Sequence, residues 1–136
     1  MGVRKSKMGD GGSEVSSVQA FEDLVVWQES QNLAVDVYKA TKSFPKDEIF
    51  GITNQIRRAA SSVSANIAEG YGRSKTNDKL HFMSIAYGSL LETKNFIYLA
   101  NRLEYLTKDT FNSLIDQSVR CQKLLNGFRR SLKNAQ

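Results

Sequence analysis

The chain has 136 residues, 40% hydrophobic and 24% charged, which fits one soluble globular domain with a modest core rather than a disordered chain. Its one cysteine, Cys121, cannot close an internal disulfide, and no apolar run approaches the ~20 residues of a membrane span. The net charge of +5 sits mainly in the second half, with +2 over residues 71–106 and +4 over residues 107–136. Such a surface attracts phosphate backbones by releasing their counterions.

Residues 1–20 are rich in Gly, Ser and Lys without periodicity and read as a flexible tail. The polar run GDGGSEVSS stands where a signal peptide needs apolar residues, so a cytoplasmic protein with no membrane contact is expected. Structure should begin near Phe21 to Asp23, with Asp23 as a candidate N-cap.

Four helical segments follow. The first spans about 24–42, with Trp27, Ser30, Ala34, Val37 and Thr41 on one face and Pro45 ending it. The second spans about 47–69, with an apolar stripe from Ile49 through Ile52, Ile56, Ala60 and Val63 to Ile67, and Gly70 expected as a left-handed C-cap. The third spans about 77–103 behind a Thr76 cap. It is apolar almost all round, which implies burial on more than one side. The fourth spans about 108–132 behind a Thr107 cap, with Phe111, Leu114, Ile115, Ser118, Cys121, Leu125, Phe128 and Leu132 in a near-heptad stripe. Long helices with short connections predict an all-α, antiparallel up-down-up-down four-helix bundle over residues 21–136.

The second segment contains QIRRAASSVSANIAEGYG. Gln55, Arg58, Ser62, Asn66 and Glu69 recur at steps of three and four, forming a polar stripe roughly 120° from the apolar one. One reading makes the stripe a site, with Arg58 gripping a phosphate or Glu69 acting as a base. The preferred reading is a structural polar seam between helices or subunits. Ala59, Ala60, Ser61, Ser64, Ala65 and Ala68 leave room for another backbone to come close. Arg57 lies on the other flank, where it would face solvent or a nucleic acid.

Catalytic and metal-binding patterns fail on composition. With His81 as the single histidine, no Glu-x-x-His pair exists and no di-iron site can be built. One His and one Cys on separate helices do not make a usual zinc site. Cys121 lies on an apolar stripe, where cysteines are usually buried hydrophobes. GYGRS follows a helix and lacks phosphate-loop spacing, so it reads as a turn. No cofactor, metal or enzymatic activity is expected.

QIRRAASSVSANIAEGYGRS closely resembles the signature of the four-helix-bundle proteins encoded in intervening sequences of bacterial 23S rRNA genes. FEDLVVWQESQNLAVDVYKATKSFPKDE, IAYGSLLE and LANRLEYL resemble the same family's first helix and turn and its third helix, so the likeness covers about Phe21 to Leu132. It implies a bundle assembled as a barrel-like ring, a homopentamer. It also implies similarity to the accessory protein of diversity-generating retroelements, which binds nucleic acid and a reverse transcriptase. The chain departs from the family pattern at Ser64, where a proline is common, at Thr93 to Phe96, where acidic and polar residues are usual, and at Glu104, in place of a glycine.

Two basic clusters complete the reading: Arg129, Arg130 and Lys133, and Arg73, Lys75 and Lys79. Cations in a last turn ordinarily complement the helix dipole. In an up-down bundle, however, helices two and four run parallel, so both clusters should share one end and, repeated round a ring, form a basic rim. The expected function is therefore low-specificity binding of RNA or DNA, or of a nucleic-acid-handling enzyme such as a reverse transcriptase. The alternative is a structural or adaptor bundle whose partner is a protein.

Overall fold

The computed structural model describes residues 20–135, and most of the expected N-terminal tail lies outside them. Four α-helices follow in order: α1, Val25–Thr41; α2, Ile52–Tyr71; α3, Thr76–Arg102; and α4, Lys108–Asn134. Single 3-10 turns at Phe21–Asp23 and Lys46–Glu48 precede α1 and α2, and no strand occurs among the described residues. Each helix packs against the two flanking it, α1 on α2 and α4, and α3 on α2 and α4, which makes a four-sided up-down bundle. One pole holds the start of α1, the α2–α3 turn and the end of α4; the other holds the α1–α2 and α3–α4 connections.

The core lies where the four apolar stripes converge. Leu33 and Val37 of α1, Ile56, Val63 and Ile67 of α2, Met83, Leu90 and Ile97 of α3, and Leu114 and Leu125 of α4 are all buried. Burying each such side chain contributes ~1.5–3 kcal/mol, offset by the entropy of ordering the chain. A smaller cluster of Phe44, Ile52 and Ala100, packed by Tyr105, closes the far pole.

Several boundaries differ from the sequence reading. Asp23 belongs to the 3-10 turn, and α1 starts after Leu24, an extended residue that offers no side-chain cap. Helix α2 begins five residues later than expected, leaving Ile49 48% exposed rather than on the core stripe, with Phe50 next to it 93% exposed. The helical path breaks at Gly51, with φ −113° and ψ −123°, and the Glu48 carboxylate ties the turn before it in place. One oxygen accepts from the Ile52 backbone N–H at 3.4 Å, and the other accepts from the Tyr105 hydroxyl at 2.8 Å. That placement brings Glu48 Oε1 to 2.6 Å from where a Cβ on residue 51 would lie, so glycine fits there.

Gly70 is not a left-handed cap. It is buried within α2, which continues to Tyr71, and Gly72 caps with φ −78°. A Cβ at Gly70 would lie 2.6 Å from both Met83 Cε and Phe82 Cβ, so the glycine sets how closely α2 approaches α3. Ser64 leaves α2 unbroken and accepts a hydrogen bond from Gln31 of α1 at 3.0 Å. Thr107 caps α4, accepting from the Thr110 N–H at 3.2 Å, whereas Thr76 is the first residue of α3, with no side-chain cap before it.

The breadth of α3's hydrophobicity is only half accounted for within one chain. Met83, Ala86, Leu90, Ile97 and Ala100 are buried, but Ile85, Leu91, Tyr98, Leu99 and Leu103 remain exposed. None of the helices among the described residues is long and apolar enough to cross a membrane.

Candidate nucleic-acid interface

Helix direction brings the two basic clusters to the same pole. A cleft of about 450 Å³ there is lined by Tyr71 and Lys79 from one side and by Phe128, Leu132 and Asn134 from the other. The cations around it are not equivalent. Arg73 donates to Glu69 Oε2 at 2.8 Å and lies over the Phe82 ring at 4.7 Å. Lys79 donates to the Tyr71 carbonyl at 2.7 Å and sits against the Tyr71 ring. Both are partly used in closing the α2–α3 turn. Lys75, Arg130 and Lys133 are exposed and form no ion pair among the described residues. Glu22, Asp23, Glu69 and Asp78 share this pole, so its positive excess is moderate.

Arg57 stands apart from the other candidates. It lies in the second turn of α2, at the opposite pole, and does not face solvent freely. Its Nε donates to Thr41 Oγ1 at 2.8 Å, and its guanidinium lies 4.8 Å from the Tyr38 ring centre. The start of α2 packs against the end of α1, and that contact takes up the side chain.

The polar stripe of α2 divides in the same way. Ser62 accepts from Ser89 of α3 at 3.0 Å, which is the stripe's one bond to another helix among the described residues. Asn66 turns back to the Ser62 carbonyl at 2.8 Å, and Glu69 goes to Arg73. Gln55 and Arg58 are exposed. Asn66 and Ser62 are half-buried against α3 rather than lining an open cleft.

A polar network along the α3–α4 seam escaped the sequence reading. Lys94 donates to Gln122 Oε1 at 3.0 Å, and Gln122 Nε2 donates to the Tyr87 hydroxyl at 3.3 Å. Arg129 lies 5.1 Å from the Tyr87 ring centre and reaches Asn126 at 3.3 Å. Hydrogen bonds from Gln122 and Asn126 hold the Tyr87 phenol below its ordinary pKa, helped by the Arg129 and Lys94 charges against a smaller opposing effect of burial. The available signal was the register of Gln122, Asn126 and Arg129, at steps of four and three on one helix edge.

Cys121 is buried, and that burial pushes its thiol up to about 11, far from a reactive thiolate. His81 is exposed on α3, edge-on to Phe82. Among the described residues, no group of three or more His, Cys, Asp or Glu could hold a metal ion.

Comparison with known proteins places this arrangement. A family model described as 23S rRNA-intervening sequence protein matches residues 22–127. A crystal structure of a protein of unknown function from the S23 ribosomal protein family of Bacteroides thetaiotaomicron superposes with a TM-score of 0.70. The two share 29% sequence identity over 77% of this chain and 98% of that one. No curated protein matches the chain.

Proposed function

We propose, for a chain that belongs to the 23S rRNA-intervening sequence protein family, a non-enzymatic role in binding nucleic acid with low sequence specificity through its basic pole. The observation that carries this reading is the exposed trio Lys75, Arg130 and Lys133, which parallel α2 and α4 bring to the same pole and which have no ion-pair partners among the described residues. Unpaired cations on one surface gain most from replacing counterions on a polyphosphate, and they carry no base-reading code.

The same reading has the chain acting as a ring-shaped homo-oligomer, a pentamer by family resemblance. The exposed Ile85, Leu99 and Leu103 on α3 support it, since a helix with that much open apolar surface is commonly covered by a partner. Repetition round a ring would multiply a modest charge excess into a strong local field.

A gel-shift assay on the Lys75→Glu/Arg130→Glu/Lys133→Glu variant tests the pole. These exposed side chains make no described contacts, so the fold should survive. Retardation by the parent protein should weaken steeply with added salt, and the variant should lose it. Unchanged retardation of the variant would remove the pole from the account. Failure of the parent to retard RNA or DNA would favour an adaptor that binds protein.

A further inference from the structure

We infer that the α3–α4 seam is a track for single-stranded nucleic acid, running from the basic pole toward the opposite end of the bundle. The inference rests on the nucleic-acid reading above and names both the surface and the form of the ligand. Three contacts across the seam define its edges: Arg129 to Ser84, Gln122 to Tyr87, and Tyr98 against Phe111. On α3 the edge steps by three and four from Ser84 through Lys94 and Tyr98 to Arg102; on α4 it steps likewise from Lys108 through Phe111 and Gln122 to Lys133. No Asp or Glu occupies any of these edge positions, while Lys94, Arg102, Lys108, Arg129 and Lys133 supply five cations.

The neighbouring seams differ. Between α1 and α4, Asp36 accepts from Gln117 at 2.7 Å and Glu29 pairs with Arg120 at 3.3 Å, so two carboxylates stand beside one cation. Between α2 and α3 the bond midway along the helices is the neutral one of Ser62 with Ser89, and the one cation bonded across, Lys79 to the Tyr71 carbonyl, lies at the turn. The α3–α4 seam thus offers a stripe of positive charge roughly 38 Å long, taking 1.5 Å per residue from 108 to 133. That charge is complementary to a polyanion.

Aromatic side chains interrupt the stripe and select the form of the ligand. Tyr98 is 48% exposed and packs edge-to-face on Phe111 at 5.5 Å, and Leu91, two turns earlier on the same edge of α3, is 45% exposed. Open aromatic and apolar surface between cations suits a strand whose bases are free to stack while its phosphates meet Lys and Arg. A duplex keeps its base faces inside and would gain nothing from Tyr98.

The test uses the full chain and fluorescence anisotropy with a 12-nucleotide oligo-dT or oligo-U strand and a mixed-sequence duplex of equal length. Lys94→Gln/Arg102→Gln should weaken single-strand binding at least tenfold and reduce the slope of log K against log salt by about 1.4, at about 0.7 per lost phosphate contact. Tyr98→Ala should weaken single-strand binding at least fivefold and leave duplex binding unchanged, a pattern that general unfolding would not produce. If both variants bind the strand within twofold of the parent while the pole variant has lost binding, the track is wrong and the pole reading stands. Equal loss of strand and duplex by Tyr98→Ala also overturns the track. A parent that binds neither probe removes the track and the pole together.

Discussion

Glu104 adopts the left-handed conformation, with φ 64°, the only non-glycine residue among those described to do so. It stands where α3 must stop: the Tyr105 N–H bonds back to the Ala100 carbonyl at 2.9 Å and the Glu104 N–H to the Asn101 carbonyl at 3.0 Å. A reversal of this kind usually places glycine at the left-handed position, because a Cβ there costs roughly 1–2 kcal/mol. The family resemblance likewise implies a glycine where this chain has glutamate. Glu104→Gly should therefore raise unfolding stability by about 0.5–1 kcal/mol in urea titration, after subtracting glycine's greater freedom in the unfolded chain. A fall in stability would show that the Glu104 side chain contributes more than its backbone costs. The departure at 104 follows from the family resemblance; the strain does not, since a dihedral angle depends on how the chain closes back on Ala100.

Among the helices, α2 departs most from what its sequence pattern predicts. Its small residues do admit close neighbours, but at particular places: Ala59, Ala60, Ser64 and Gly70 are buried, while Ser61 and Ala65 are exposed. Gly70 is the tightest point. Gly70→Ala should cost about 1–3 kcal/mol, as expected for overpacking a fitted contact, because Phe82 Cβ is fixed to the α3 backbone and cannot swing away. Chemical denaturation would measure it, and a neutral result would mean that α2 and α3 separate easily. The late start of α2 was illegible for a different reason. Ile49 fits the helical period, but the backbone breaks at Gly51, and the bonds of Glu48 with Tyr105 and Ile52 hold the residues before it in a 3-10 turn.

Considered whole, the bundle leaves its outer α3 surface poorly explained as a solvated face. Ile85, Leu99 and Leu103 line the side turned away from α1, and the described residues leave 40–44% of each open. The proposed assembly predicts a light-scattering mass that is a multiple of 15.3 kDa. Leu99→Lys should shift that mass toward the single chain without unfolding it, since Leu99 is already exposed within one copy. A parent protein running at 15.3 kDa would remove the ring and the multiplied charge field argued from it. Charge behaves differently at this scale from its appearance in sequence. The two clusters that looked like one rim share their pole with four carboxylates, whereas the acid-free stripe is assembled from cations up to 39 positions apart, Lys94 to Lys133.

The sequence alone determined the class of fold, the number and direction of the helices and most of the core, because helical period and turn residues act over a few neighbours and are written in local order. It also determined which end gathers the late cations, since antiparallel connection leaves no alternative. Only the tertiary structure decided that Arg57 is held by α1, that Gly70 spaces α2 from α3, and that the α3–α4 seam carries positive charge without a counterpart. Those outcomes depend on which side chains meet across helices, and such meetings are fixed by the rotation of each helix about its axis when all four stripes are buried together.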